Sequence, residues 1–597
     1  MFRYVGLAWD PSQPKLVLES NRLAAGLVRA RGWSTVLVRP GLQVFATGVK
    51  PRINGAYELQ GSQGVVLGRL FRRAELETSE SADITLARQE SEVIRESGGR
   101  SLVLDFWGRY VAFISTASGH HSVLRDPSGA LPCFHLKHQG VTIVFSWLDD
   151  VLALLPPDAL PHVNWDALQA HILYGGLGWH ETALAGVSEI LAGERFELES
   201  GTSTLLWSGI DIASSPSQTS SASAATKLRD VVHACTRAWA SCHDTILLRL
   251  SGGVDSSILA SCLSADRTET DVLCVNYHSE GSDSDERLYA RLAASRAGRD
   301  LIERERDANF RIDRILTVAR MPAPVAYAGW MNATTDARLA AAHRASAMFT
   351  GAGGDPLFFQ FASWWPAADY LKVRGLDRGF PAAAMDAAHL SKSSVWHVAR
   401  RAFGEWLRPD RRIRTTDVRA HVLLTPQALS PSWPQRRFAH TELLRSTLPI
   451  GKLMQAAHLL HPIGYYDPLE RDAAPEIVNP LLSQPLVELC LRLPSYVLTE
   501  GGQGRALVRR AFSADLHPEI ATRRSKGGME EHVKAILMAN LPFARSMLLD
   551  GELARRGLVD RDKVEQLLSN SPTAIAAHMG HVHSLIGVEA WLTRWPR

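Results

Sequence analysis

Hydrophobic and polar positions along the chain follow two successive patterns. Up to about residue 205, short β-branched or aromatic runs bounded by glycine or proline predict strands at 34–38, 64–68 and 142–146. Residues 101–114 predict a helix running into a strand at Gly108, and further helices are expected around 81–97 and 165–173. Many strands with few helices indicate a layered α+β domain. Residues 212–223 are rich in Ser, Thr and Pro without apolar periodicity and predict a linker. Leu228, Val231, Val232, Cys235 and Trp239 then fall on one face of a helix over 224–240. Beyond it the pattern alternates. An apolar run at 245–250 leads into a helix over 256–265, and 271–277 is almost wholly apolar, as a parallel strand buried on both faces should be. Ser284-Asp285-Glu286 opens a helix through Arg296, 301–302 starts a weaker strand, and 347–350 reads as another. Alternating units of this kind predict a doubly wound parallel sheet, with ligands at the carboxyl ends of its strands.

Two of those strand ends carry chemistry. The first run ends in Ser251-Gly252-Gly253-Val254-Asp255-Ser256-Ser257. Gly252 and Gly253 clear side chains away from the backbone N–H groups, and Ser256 and Ser257 stand at a helix mouth that favours a phosphate. No lysine follows the glycines, so this is not the Gly-x-x-x-x-Gly-Lys-Ser/Thr loop of kinases and GTPases. The run at 347–350 likewise ends in Gly351-Ala352-Gly353-Gly354-Asp355. Asp255 and Asp355 thus each follow a strand, and paired carboxylates suit a hard divalent cation.

Bulk properties narrow the classes without naming one. At 597 residues the chain exceeds one core, and about two to four domains are expected. Apolar content of 46% and charged content of 21% are globular values. A net charge of +3 is too small to argue for nucleic acid or a membrane surface. No run reaches membrane-spanning length and the first residues do not form a signal peptide, so a cytoplasmic location is expected. Six cysteines lack Cys-x-x-Cys spacing and indicate neither zinc nor a disulfide framework. Arg400, Arg401, Arg408, Arg411, Arg412, Arg414 and Arg419 crowd around Trp396, Phe403 and Trp406 in a span of about 371–440. Such a span is by default a solvated helical face; a nucleic-acid surface or a dock for an anionic or peptide substrate are the other readings.

The Ser-Gly-Gly-x-Asp-Ser-Ser loop resembles the pyrophosphate loop of ATP pyrophosphatases, which cleave ATP to AMP and pyrophosphate. In the first 211 residues, Gly108-Arg109-Tyr110-Val111-Ala112-Phe113, Leu124-Arg125-Asp126-Pro127-Ser128-Gly129-Ala130-Leu131-Pro132, Phe145-Ser146-Trp147, Gly186-Val187 and Ala192-Gly193-Glu194 resemble class II glutamine amidotransferase domains. Active members of that family carry a nucleophilic cysteine directly after the initiator methionine. Phe2 stands there, and a phenyl ring cannot attack an amide.

Joined to Thr350–Asp355, the loop resembles the synthetase domain of asparagine synthetase homologues. That resemblance implies an ATP site lined by Leu250, Ser251, Gly252, Gly253, Asp255, Ser256, Ser257, Asn276, Thr350 and Gly351, with Mg²⁺ on Asp255 and Asp355. Asn479-Pro480-Leu481-Leu482, Leu491-Arg492-Leu493-Pro494, Gly501-Gly502-Gln503-Gly504-Arg505-Ala506-Leu507-Val508-Arg509 and Arg523-Arg524-Ser525-Lys526-Gly527-Gly528 follow in the family's order. Lys526 would stabilise charge at the α-phosphate. Thr350 replaces the usual serine, Pro356 the usual glutamate, and Ser483 the aspartate of the substrate motif.

The expected plan is therefore α/β overall: an amidotransferase-like α+β domain over 1–211, a linker, and an adenylating domain over 224–597 with the basic insertion. Among relatives with this plan, the chain is read as resembling the lasso peptide cyclases. They imply a precursor peptide as substrate, a leader-binding protein and a leader peptidase as partners, and macrolactam formation. β-Lactam synthetases, a glutamine-independent asparagine synthetase and an ATP-binding scaffold are the alternatives.

Overall fold

The computed structural model describes residues 1–61, 63–76, 84–116, 118–174, 180–217, 220–280, 285–307, 309–317, 320–325, 331–407, 422–429, 447–459, 475–524, 527–569 and 572–595. In the N-terminal third, two six-stranded antiparallel sheets lie face to face. One contains Arg3–Ala8 at its centre and the other the long pair Gly64–Arg72 and Phe106–Ser115. Strand alternation decides which side chains meet. Tyr4, Val65, Leu67, Val111 and Phe113 fill the space between the sheets. Val5, Leu7, Phe45 and Phe145 point outward onto the helix Pro14–Arg29 and the C-terminal helices. Val66, Leu70, Tyr110 and Ala112 point the other way, onto the helix Ser221–Ala240. Gly6 is required in this packing, because a Cβ there would fall 2.4 Å from the Phe113 ring.

The second unit holds a five-stranded sheet, parallel throughout. Its order is Leu301–Glu305, Asp271–His278, Thr245–Arg249, Ala347–Phe349, Glu476–Val478. Ile246 and Leu248 face one helical layer and Leu247 the other, which explains the unbroken apolar run. The strand order reverses between Thr245–Arg249 and Ala347–Phe349. A crevice opens at such a reversal, and both glycine loops leave the sheet there.

Several boundaries differ from the sequence reading. The helix-to-strand junction lies between Arg100–Asp105 and Phe106–Ser115, not at Gly108. Gly108 sits inside the strand at φ +143, where a Cβ would fall 2.2 Å from the Arg69 carbonyl oxygen. The stretch 212–223 is helical at both ends. Gly209–Ala213 forms a short helix, and Ser220 caps Ser221–Ala240 by accepting from Ser223 N at 3.3 Å. Serines that read as linker therefore serve partly as a cap and first turn. The helix expected over 81–97 starts at Arg88, and 77–83 lie outside the described residues. The helix at 284–296 spans Arg287–Ala297, with Ser284 outside the described residues.

Within the insertion, Trp365–Arg374, Phe380–Ser391 and Val395–Trp406 pack as three helices on Leu371, Ala387, Val398 and Ala402. Arg408, Arg411, Arg412, Arg414 and Arg419 lie outside the described residues. All six cysteines are buried and unpaired. Among the described residues no helix is long and apolar enough to cross a membrane.

Candidate active site

The first loop is shaped by its own serines. Leu250 N donates to Val275 O at 2.8 Å, and Asn276 Nδ2 donates to Leu250 O at 2.8 Å, so two adjacent strands fix where the loop starts. Gly252 then takes φ +71, with Tyr289 and Ala290 packed against it; a Cβ would fall 2.5 Å from Tyr289 Cβ. Ser251 Oγ lies 3.2 Å from Ser256 Oγ and accepts from Gly253 N at 3.3 Å, while Ser257 Oγ donates to Gly253 O at 2.8 Å. These bonds close the turn onto the first residues of the helix Val254–Cys262.

The second loop presses directly on the first. A Cβ on Gly351 would meet Ser256 N at 3.0 Å, and one on Gly354 would sit 2.4 Å from Asp255 Cγ. Glycine at both positions is what lets the two loops touch. Thr350 Oγ1 donates to Asn479 Oδ1 at 2.6 Å and accepts from Ala352 N at 3.1 Å, shaping the turn. Asp255 and Asp355 converge on one cation, Arg505. Its Nε and Nη2 donate to the two oxygens of Asp255 at 2.8 and 2.7 Å, and Nη2 also bonds Asp355. The Asp255 side chain is 10% exposed and that of Asp355 60% exposed, so the pair spans from the interior to solvent. Burial works against the Arg505 charge, yet attraction to the two carboxylates raises its pKa above the usual arginine value.

A family profile described as asparagine synthase matches residues 227–593, more than half of the chain. The chain belongs to the asparagine synthase family. The family is one of ATP-dependent carbon–nitrogen ligases. No curated protein matches. A solved structure titled "Structure of the allosteric regulatory enzyme of purine biosynthesis" aligns at 11% identity over 51% of this chain and 80% of that one, with a TM-score of 0.21.

In asparagine synthase terms, the residues expected at the nucleotide site fall together. Leu250, Ser251, Gly252, Gly253, Asp255, Ser256, Ser257, Asn276, Thr350 and Gly351 all lie on the two loops or the strand ends that carry them. Lys526 lies outside the described residues, but its flanks are tied down. Gly527 N donates to Glu286 Oε1 at 3.0 Å, and Arg523 pairs with the same carboxylate at 2.7 Å. Arg509 holds the approach to that segment through the carbonyls of Ile520, Ala521 and Arg523 at 3.0, 2.7 and 2.9 Å. Burial, helped by Arg505, brings Arg509 down to about 10. Ser483 points inward: Trp239 Nε1 donates to it at 3.0 Å and its hydroxyl donates to Pro480 O at 2.7 Å, a packing role.

Mg²⁺ fits the pair Asp255 and Asp355. Both present oxygen donors to a single positive charge, and this ion commonly uses one or two carboxylates with phosphate oxygens. Among the described residues no cluster of three or more metal-ligating side chains competes with it. Arg505 and Arg509 lie in a motif legible from sequence, but neither they nor Glu286 were among the residues expected at the site. The available signal for Arg505 was its position after Gly501, Gly502 and Gly504, a run that lets a side chain approach a crowded crevice.

Proposed function

We propose that the chain activates a carboxylate with ATP and joins it to an amine, its substrate being a peptide closed into a macrolactam. The observation that carries this is the convergence of two glycine loops, each delivering one carboxylate to a single guanidinium at the strand-order reversal. An Asp or Glu side chain of the precursor peptide attacks the α-phosphorus of ATP and pyrophosphate leaves. The peptide's own N-terminal amine then attacks the acyl carbon, AMP leaves with the electron pair, and a proton is released. The net change in the peptide is loss of one water.

The chain supplies positioning and charge for both steps. Gly252, Gly253 and the mouth of Val254–Cys262 with Ser256 and Ser257 receive the phosphates. Leu250, Asn276, Thr350 and Gly351 would line the adenosine side, and Lys526 would stabilise the developing charge. Mg²⁺ on Asp255 and Asp355 would neutralise charge on the leaving pyrophosphate.

The N-terminal sheets, read as a degenerate class II amidotransferase fold, supply no ammonia in this proposal. Phe2 is 8% exposed with its ring between the sheets. Cys133, the one cysteine before Cys235, is buried among apolar side chains, which pushes its thiol up to about 12. The amine must then already be part of the substrate. Exposed Trp396 and Arg400 on the helix Val395–Trp406 favour a peptide over a small molecule. A precursor peptide, a leader-binding protein and a leader peptidase in the cytoplasm complete the proposal.

The test is mass spectrometry of a candidate precursor incubated with ATP and the chain. Loss of one water with matching AMP formation is expected, and Asp255→Asn and Lys526→Ala should abolish both. AMP formation with free amino acids but not with peptide would overturn the peptide reading and keep the ligase chemistry.

A further inference from the structure

A second group of charged side chains, Arg306 and Arg523 with the acids Asp285 and Glu286, gathers at the carboxyl ends of Asp271–His278 and Leu301–Glu305. Arg306 continues the latter strand, its N–H donating to His278 O at 2.8 Å. Arg523 arrives from the segment before Gly527, lies 3.8 Å over the Tyr289 ring and pairs with Glu286 at 2.7 Å. The charges of Glu286 and Asp285 act on Arg306 as well, and His532 feels both Arg306 and Asp307, so these groups form one cluster of mixed charge. Tyr289 joins this cluster to the phosphate loop, because its Cβ and backbone pack against Gly252.

The guanidinium groups are unsatisfied in an unusual way. Arg306 and Arg523 each bury both Nε and Nη1 without a hydrogen-bond partner, and among the described residues no other arginine buries more than one such nitrogen. His278 Nδ1, at the end of the neighbouring strand, is also buried and unpartnered. The Arg523 side chain is only 10% exposed. Leaving a buried donor unmet is costly, and more so for a charged one, so such a cluster favours acceptors in place. Two arginine forks suit an oxyanion with several oxygens. A single carboxylate has two oxygens and would leave donors unmet; pyrophosphate would not.

We propose that Arg306 and Arg523 form a second oxyanion seat, one tyrosine away from the phosphate loop, that takes pyrophosphate after it leaves the nucleotide. The inference rests on the adenylation reading above. Arg523 belongs to the segment that also carries Lys526, so the seat and the expected cation of the cleavage step share one stretch of chain.

The test is calorimetric titration of the full chain with inorganic pyrophosphate, with AMP as a separate probe. Arg306→Gln should weaken pyrophosphate binding about tenfold, the value of one charge-assisted hydrogen bond, while AMP affinity stays within about twofold. Arg523→Lys keeps the charge but loses the fork and should weaken pyrophosphate severalfold. Unchanged pyrophosphate affinity in both variants, with AMP still bound, would mean that water meets these donors and would overturn the inference. If Arg306→Gln fails to bind AMP, Arg523→Lys decides. Wild-type chain binding neither AMP nor pyrophosphate would instead defeat the nucleotide reading itself.

Discussion

Arg505 stands where a buried carboxylate, Asp255, meets an exposed one, Asp355, and it does so at φ +59, a conformation that L side chains adopt at a cost of about 1–3 kcal/mol. The bidentate bond to Asp255 and the bond to Asp355 hold it there. Arg505→Ala relieves the charge pairing without removing the acids. Breaking a buried pair in this way costs about 3–5 kcal/mol, so the urea midpoint should fall well below wild type. Millimolar Mg²⁺ should restore part of that loss in the variant, because the same two carboxylates fit the ion; no recovery would argue against the proposed metal pair. Gly354 gives a sharper test of the contact between the loops. In Gly354→Ala the new methyl meets Asp255 Cγ at 2.4 Å, so one loop must shift. AMP formation should drop at least about tenfold, since misplacement by about 1 Å costs more than that, while circular dichroism stays native.

Support for Asp355 comes from a helix outside the crevice, Ile450–Leu459. Gln455 Nε2 donates to Pro356 O at 3.2 Å and Leu357 O at 2.8 Å, on the turn that bears Asp355. Lys452 steadies Gln455, its Nζ donating to Gln455 Oε1 at 2.5 Å and to the carbonyls of Cys490 and Leu493 at 2.9 and 2.8 Å. Burial pushes Lys452 down to about 7, against the opposing pull of Cys490 and Asp369. In the unfolded chain the amine is protonated below about 10.5, and in the fold only below about 7. Unfolding therefore takes up a proton between these values, and this group makes stability rise with pH from about 7 to about 10. Urea midpoints at pH 7, 8.5 and 10 should climb in wild type relative to Lys452→Met, and parallel profiles would refute the assignment. Asp369, pushed up to about 6 by burial, titrates below that window. The two glycine loops were readable because strand, glycine and carboxylate are adjacent in sequence. Lys452 was not, because at helical spacing a lysine reads as solvated, and only the carbonyls of Cys490 and Leu493 make its burial tolerable. The Gly108 junction was misjudged for a related reason. Its glycine marks a close approach of neighbouring backbone, which sequence cannot distinguish from a break.

Across the whole molecule, the N-terminal sheets are bound to the parallel sheet by ion pairs remote in sequence. Arg109 pairs with Glu476 on the edge strand, to which Asn54 also donates at 3.0 Å. Arg73 donates to Glu488 at 2.8 and 2.9 Å, and the same carboxylate accepts from Trp207 Nε1 and Gln484 Nε2, each at 2.9 Å. The two ion pairs were not legible beforehand, since their partners lie hundreds of residues apart and read as ordinary surface charges. One apolar cluster also runs unbroken from Val66 and Tyr110 through Leu228 to Leu248 and Phe349. The N-terminal layer is thus part of the body on which the crevice is built. Shared core and shared carboxylate predict one cooperative thermal transition for the intact chain. Glu488→Ala leaves the Arg73 guanidinium and two neutral donors without their acceptor at this junction, each neutral one costing about 1–3 kcal/mol. The N-terminal layer should then melt ahead of the rest, so calorimetry should resolve two transitions where wild type shows one. Protease should release N-terminal fragments at temperatures between them. A Glu488→Ala chain that still melts in a single transition at the wild-type temperature would show that the apolar contact alone unites the two units.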